Sequence, residues 1–439
     1  MLVNRPRGTS DILPGKVEKW QYLEEEIRQI CREYGYAEVR TPIFEHTELF
    51  KRGVGETTDV VEKEMYTFLD KGETSVTLRP EGTAAAVRAF VENGCYGQPL
   101  PVKWYYLGPM FRYDRPQAGR FRQFHQFGAE VFGSNDPLLD AEVIVMAMDL
   151  YYRLGLTNLE LQINSVGCPA CRLEHRAALK EFLLPLTPGL CENCQQRLER
   201  NPMRVLDCKA EKCQATTKGA PTTPQYLCPA CGEHFRVVKE ALDAIGIPYT
   251  VNERMVRGLD YYNQTAFEIS VAGIGAQSSI GGGGRYDGLI EQLGGPPTPG
   301  IGFALGIERT LLALEQQEAD FGTGRELDVF VATLGAEGRL TALKILTRLR
   351  GYGLAVNMDY LGRSLKAQMK QAGKSEAPWV IIVGGEELSR QAVSVKDMAE
   401  GQQKEVPLKE IERYILEKIA QEQEECSCDC GCGGEHHHA

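Results

Sequence analysis

The sequence predicts an α+β domain with an antiparallel sheet, a Cys-rich insertion within it, and a C-terminal α/β domain. Three observations carry this prediction. At 439 residues the chain is too long for one core and should divide. Its first third holds short extended stretches joined by turn residues, as antiparallel strands are. Beyond residue 327, compact apolar strands alternate with helical stretches, the pattern of a largely parallel sheet. The expected bounds are 1–320 for the first domain, 165–240 for the insertion, 327–420 for the second domain and 421–439 for a disordered Cys/His tail.

In order along the chain, Trp20, Leu23, Ile27 and Ile30 recur at helical spacing, and Gly35 can stop that helix, so Gly15 to Tyr34 reads as helical. Ala37 to Ile43 reads as a strand. The polar stretch Glu45 to Asp59 reads as a loop and helix. Met65 to Leu69 and Thr74 to Leu78 form a hairpin around Asp70-Lys71-Gly72. A helix follows Pro80, from Gly82 to Asn93. Val102 to Arg112 alternates as a strand, Arg122 to Val131 returns beside it, and Pro116 and Gly119 mark the loop between. Ala141 to Leu154 is a strongly apolar helix. From Cys168 to Cys231, CxxC pairs and Pro- and Thr-rich connections replace regular periodicity. Strand patterning resumes at Tyr249. The run Gly281 to Gly288 follows a strand around Ser278, and Gly300 to Leu314 passes from strand to helix. Glu315 to Glu326 is a polar linker. Asp328 to Leu334, Leu354 to Met358 and Trp379 to Val383 are the apolar strands of the second domain, and nothing foldable is expected after Ala420.

Composition bounds the function. Hydrophobic residues make 43% and charged residues 25%, as in ordinary soluble domains, and no stretch is long and apolar enough to span a bilayer. The first residues contain no apolar signal core, so a cytoplasmic protein is expected. A formal charge of −11 argues against nucleic-acid binding over the whole surface, yet Arg112, Arg115, Arg120 and Arg122 crowd one short stretch.

Two stretches carry chemistry. In the first, Phe111 to Glu130, residues two apart on a strand share a face, so Phe124, Gln126, Gly128 and Glu130 line one surface: a ring, an amide, an open patch and a carboxylate. The second is Val256-Arg257-Gly258-Leu259-Asp260-Tyr261-Tyr262-Asn263-Gln264-Thr265-Ala266-Phe267-Glu268. Arg257 offers a fork of donors suited to carboxylate or phosphate, beside two tyrosine rings and their hydroxyls. Together they could hold a small zwitterionic aromatic ligand next to a phosphate.

The second stretch closely resembles the histidine-specific signature of histidyl-tRNA synthetases, and the first is similar to motif 2 of class II aminoacyl-tRNA synthetases. Gly300 to Arg309 resembles motif 3, and Thr41 to Glu45 stands in the place of motif 1, the dimer element. The resemblance covers residues 1–420, the last part by position and pattern. It implies a class II catalytic fold, an anticodon-binding domain, a homodimer, and ligation of histidine to tRNA(His) with ATP and Mg²⁺. It further implies roles. Arg112 would hold the α-phosphate and the substrate carboxyl, with Arg257 clamping from the other side. Phe124 would stack on adenine, and Arg309 would lie over adenine and the γ-phosphate. Glu81, Thr83 and Gln126 would receive the histidine amino group. Glu130 and Tyr262 would bond the imidazole, with Tyr261 and Tyr286 on the pocket wall. Arg115, Gln117 and Arg120 would meet the tRNA acceptor end. Asp114 stands where the family has Glu. A regulatory paralogue without catalysis is the alternative, and such paralogues are expected to lose the catalytic arginines and the C-terminal domain.

The cysteines are read from spacing alone. Cys168, Cys171, Cys191, Cys194, Cys208, Cys213, Cys228 and Cys231 fall in CxxC pairs and near-pairs, which favour tetrahedral zinc in a reducing compartment. The insertion is short of periodic apolar residues, so metal would supply its stability. His175 and His234 are possible substitute ligands, more commonly surface residues. Four further cysteines and three histidines in the tail could also bind metal.

Overall fold

The computed structural model describes residues 3–55, 58, 60–272, 278–321 and 327–429, with side chains as far as 422. The chain divides into two compact units, Met1–Phe321 and Gly322–Ala439.

The first unit begins with helix α1 (Val17–Glu33), strands β1 (Ala37–Glu38) and β2 (Phe44–His46), and helix α2 (Thr47–Val54). Next come β3 (Tyr66–Leu69), β4 (Ser75–Leu78), α3 (Thr83–Glu92), β5 (Val102–Phe111), β6 (Gln123–Phe132), α4 (Pro137–Arg153) and β7 (Leu159–Ser165). The insertion contributes α5 (Pro169–Leu183), α6 (Glu192–Arg200), α7 (Glu211–Thr216) and α8 (Pro229–Ile245). The unit closes with β8 (Thr250–Val251), β9 (Asn263–Val271), β10 (Ser279–Arg285), α9 (Leu289–Gln292), β11 (Gly300–Gly306) and α10 (Ile307–Gln316).

Eight strands form one sheet in the order β1-β5-β6-β11-β10-β9-β7-β8. Its six central strands are antiparallel, and the two short edges, β1 and β8, pair in parallel. The hairpin β3–β4 takes β2 as a third strand and forms a separate small sheet. Alternation assigns the two faces of the large sheet. Phe127, Ala129 and Val131 of β6 enter the main core with Leu23 and Ile27 of α1, Ile144 and Met148 of α4, and Val238 and Leu242 of α8. Their neighbours Phe124 and Phe132 pack on the other face with Phe90 of α3, Tyr106 and Tyr286.

Several elements differ from expectation. The strand at Ala37 ends at Glu38; Val39 still donates its amide to the Tyr105 carbonyl at 2.8 Å, and further on the Thr41 carbonyl accepts from the Arg79 guanidinium at 3.0 Å. Helix α4 starts at Pro137, earlier than Ala141: the Asp136 carboxylate accepts from the Leu138 amide at 2.9 Å, and proline suits the first turn. Strand β7 was not read from the sequence. The four glycines 281–284 lie within a strand, β10, rather than after one. A side chain on Gly283 would strike the β11 backbone, so only glycine lets these strands close up.

The insertion also corrects the expectation of a core-poor module. Helices α5, α6 and α7 enclose a cluster that includes Leu179, Leu183, Leu190, Leu198, Met203 and Leu206, together with Cys194 and Cys213, while α8 packs Val238 and Leu242 into the main core. Short 3₁₀ turns and helices of different lengths carry these apolar residues, which is why no single period showed them.

The second unit holds β12 (Val329–Thr333), α11 (Glu337–Gly351), β13 (Val356–Met358), α12 (Leu365–Lys374), β14 (Trp379–Val383), α13 (Gly385–Ser389), β15 (Ala392–Asp397), β16 (Gln403–Pro407) and α14 (Ile411–Asp429). The sheet order is β13-β12-β14-β15-β16. Three strands are parallel as expected, and a terminal hairpin adds two antiparallel ones. Ile411 and Ile415 anchor α14 in this core. The helix runs past Ala420 to Asp429, where no structure was expected. The proposed tail ligands Cys430, Cys432 and His436 to His438 lie outside the described residues, as do the side chains of Cys426 and Cys428.

Candidate active site

A cleft of about 580 Å³ opens on the face of the large sheet away from α1, α4 and α8. It gathers most of the residues singled out from sequence. Glu81, Thr83, Arg112, Arg120, Phe124, Gln126, Arg257, Tyr261, Tyr262 and Arg309 all line it.

The long β5–β6 hairpin places the first group. Arg112 continues β5 by donating its amide to the Arg122 carbonyl at 2.9 Å. Its Nε donates to the Pro80 carbonyl at 2.8 Å, and its guanidinium lies 5.3 Å from the Phe124 ring centre. Asp114 pairs with Arg120 at 2.8 Å inside the hairpin loop, which answers what the shorter carboxylate contacts. Arg115 and Gln117 are exposed on that loop and do not line the cleft. Arg309 comes from α10 and reaches back to the carbonyls of Gly119 (3.2 Å) and Ser279 (2.6 Å). Burial, then the charges of Arg120 and Arg112, hold the Arg309 pKa below the usual arginine range. Arg112, Arg120 and Arg309 line the same cleft, and guanidiniums gathered in this way suit a polyphosphate.

Arg257 enters from the irregular segment before β9. Its Nη1 bonds Glu268 at 2.7 Å, and its guanidinium lies 5.7 Å from the Tyr262 ring centre. Gly282 lies beneath it: a Cβ there would come 2.9 Å from Arg257 Nη2 and 2.6 Å from the Phe267 carbonyl. Two buried polar atoms of this wall, Gln126 Oε1 and Arg257 Nε, have no hydrogen-bond partner among the described residues. Orphaned buried groups at a cleft are what a polar ligand would satisfy.

Glu130 and Tyr286 lie deeper than expected, beneath the cleft wall. Glu130 is 1% exposed. It accepts from Thr83 Oγ1 at 2.7 Å, from Tyr106 at 3.3 Å, and from the Tyr286 hydroxyl. Burial pushes its pKa up to about 8, against the lowering effect of these hydroxyls. Glu81 is likewise buried, and burial raises its pKa, although the amides of Thr83 (2.7 Å) and Ala84 (2.8 Å) bond its carboxylate at the start of α3. The Tyr261 ring lies between those of Tyr262 (tilted, centroids 4.6 Å apart) and Tyr286 (edge-to-face, 5.7 Å). Gly128 is not an open patch. The Tyr106 ring lies on it, and a methyl group there would overlap the ring.

Sequence reasoning missed Tyr106, Glu268 and three insertion residues of the cleft wall, Arg204, Asp207 and Lys209. Glu268 had a signal, an acidic residue within the same stretch as Arg257. Tyr106 had one in the alternation of β5. The insertion residues had none.

The eight cysteines form two groups. Cys168, Cys171, Cys228 and Cys231 have their sulfurs within 4.8 Å of one another, and so do Cys191, Cys194, Cys208 and Cys213. Cys168 and Cys228 each precede a helix whose first residue is proline, so the first group ties the starts of α5 and α8 together. The Cys228 amide donates to Cys171 Sγ at 3.1 Å, and the Cys191 amide to Cys213 Sγ at 3.2 Å. Amides of Cys171 and Cys194 hold the Cys168 and Cys191 thiols down to about 7. Neither histidine belongs to these groups, and neither is a free surface residue. His175 is buried between the Pro221 carbonyl and Thr223, and His234 pairs with buried Asp140, which also holds Arg285.

The family model described as Histidyl-tRNA synthetase matches residues 8–179 and 205–310, and the one described as Anticodon binding domain matches 328–418. A histidine–tRNA ligase of Desulforamulus reducens is 63% identical over 415 residues, 94% of this chain and 99% of the relative. A histidine–tRNA ligase of Pelotomaculum thermopropionicum is 59% identical over 95% of this chain and 99% of its own length. The crystal structure of apo S. aureus histidyl-tRNA synthetase is similar with a TM-score of 0.81 and 43% identity, over 94% of this chain and all of that one. The chain therefore belongs to the histidyl-tRNA synthetase family.

Proposed function

We propose that the cleft activates histidine with ATP and passes the histidyl group to the 3′ end of tRNA(His), which makes the chain a histidine–tRNA ligase. One observation supports this most: Arg112, Arg257 and Arg309 line a single cleft that also contains the unsatisfied atoms Gln126 Oε1 and Arg257 Nε. In this reading Phe124 stacks on adenine, and Arg309 and Arg112 neutralise the triphosphate. The histidine carboxylate attacks the α-phosphate, and pyrophosphate leaves. Charge growing on that phosphoryl group is stabilised by Arg112 and Arg257, already fixed by the Pro80 carbonyl and Glu268. Glu81, Thr83 and Gln126 receive the amino group. The imidazole meets Tyr262 and the Thr83–Glu130 pair, one donor and one acceptor each finding a partner. Such a polar pocket rejects apolar amino acids. Exposed Arg115 and Gln117, with Arg120, suit the acceptor end of the tRNA. Mg²⁺ takes oxygen ligands, which the triphosphate would supply; when bound it would neutralise the outer phosphates. The deciding experiment is histidine-dependent exchange of pyrophosphate into ATP. A protein that binds histidine without exchange would instead be the regulatory paralogue.

The thiol groups suit structural zinc. Four sulfurs about 2.3 Å from one zinc stand roughly 3.8 Å apart. Cys168 and Cys171 are 3.5 Å apart, and Cys191 and Cys208 are 4.0 Å apart. Two ions per chain is the proposal. Reduced thiols in such number suit the cytoplasm, and no helix among the described residues is long and apolar enough to cross a membrane. Ile43, Phe44, Phe68 and Leu69 are exposed together on or beside the small sheet, which suits a homodimer joined through that region.

A further inference from the structure

The segment from Val256 to Tyr262 carries Arg257, Tyr261 and Tyr262, yet it is neither helix nor strand. The insertion supports its main chain. Arg172 Nη1 donates to the Tyr262 carbonyl at 2.8 Å. Arg204 Nη1 donates to the Gly258 carbonyl at 2.7 Å and lies 3.4 Å from the Arg257 carbonyl. Asn201 Nδ2 donates to Asp260 at 3.1 Å. Val256 itself packs into the insertion core.

These supports stand beside the thiols. Arg172 follows Cys171 in the first turns of α5, where the first thiol group ties α5 to α8. Arg204 sits in the 3₁₀ turn Pro202–Val205, between Cys194 and Cys208 of the second group. A four-ligand metal fixes the main chain that carries its ligands. A guanidinium on that same chain is then fixed too, and so is the carbonyl it bonds.

We propose that Arg172 and Arg204 are positioning residues for histidine activation, each relaying the geometry of one metal-loaded thiol group to the Arg257–Tyr262 segment. The relay rests on the zinc reading above; the positioning role rests on the hydrogen bonds alone. Small displacements of a clamping group cost large factors in rate, so the effect should be visible in kinetics rather than in folding.

The test uses the full chain, with Arg172→Met and Arg204→Met measured for zinc content, melting temperature and pyrophosphate exchange. Both variants should keep two zinc ions. Each should lose roughly tenfold or more in kcat/KM for histidine, with a much smaller change in KM for ATP. Trypsin should cut after Arg257 faster than in the unaltered protein. Arg204→Lys, which keeps a donor, should recover part of the loss. Cys191→Ser with Cys194→Ser should release one zinc and reproduce the Arg204→Met kinetics, and adding Arg204→Met should cost little more. If that double variant does not fold, stripping zinc from the folded protein with a chelator must lower histidine kinetics in step with zinc released. Unchanged histidine kinetics in both arginine variants would overturn the proposal. Full additivity of the cysteine and arginine changes would overturn the relay. A protein without zinc whose arginine variants still lose histidine kinetics would sink the zinc reading and leave the positioning role standing.

Discussion

Thr83 Oγ1 donates to Glu130 Oε1 across 2.7 Å, joining the start of α3 to the middle of β6 beneath the cleft. The threonine lines the cleft and the glutamate does not. In the function proposed above, Glu130 thus reaches the ligand through the Thr83 hydroxyl. Glu130→Ala should raise the histidine concentration needed for exchange far more than the ATP concentration. Equal shifts for both substrates would reduce Glu130 to a structural role.

The same residue predicts a pH effect on stability. Its folded pKa, about 8, lies above that of an unfolded glutamate, so the folded state keeps a proton that the unfolded state gives up. The stabilisation it contributes is complete below the unfolded value and is lost as pH rises through about 8. Glu130→Gln should therefore flatten the fall in melting temperature between pH 5 and pH 8. Parallel melting curves for the two proteins would contradict this.

Arg257→Ala should cut histidyl-adenylate formation by roughly a hundredfold or more, the usual loss for a fixed cation at a developing charge. Transfer to tRNA from preformed adenylate should suffer much less. Rapid-quench measurement of the two steps separates them, and near-normal exchange would refute the role.

Gly128→Ala inserts a methyl group where the Tyr106 ring lies. Overpacking of this kind costs about 1–3 kcal/mol. The displaced ring also withdraws a hydroxyl from Glu130, so histidine binding should weaken along with the melting temperature. A variant with unaltered stability would mean that Tyr106 has room to move.

Elemental analysis should find two zinc ions per chain, and Cys168→Ser with Cys171→Ser should remove one and lower both stability and tRNA charging. Truncation after Ala420 should leave charging unchanged, because Ile411 and Ile415, which anchor α14, precede the cut. Zinc-free protein from chelator-free purification, or lost charging on truncation, would contradict these expectations.

Legibility followed locality. The β5–β6 hairpin and the Arg257 stretch were readable because alternation and charge lie within one run of sequence. The mates of those residues were harder. Tyr106 meets Gly128 and Glu130 only through strand register, and Arg204 reaches Gly258 only after the insertion has folded. The glycine run was placed after a strand, not within one, because glycine disfavours strands; here β11 and the Arg257 guanidinium fill the space its side chains would occupy. The pairing of eight cysteines into two groups is likewise a fact of tertiary structure, invisible in spacing.

Strand β9 lies between β10 and β7, and the whole insertion is synthesised after β7 and before β9. As the chain leaves the ribosome, β7 waits without that neighbour until α5 to α8 have emerged. Helix α8 begins at a thiol group and ends with Val238 and Leu242 in the main core. Closing the sheet is thus a late, long-range event, of the kind that exposes unpaired edges during synthesis. On the zinc reading proposed above, a cell short of zinc should accumulate nascent chains with an open sheet edge.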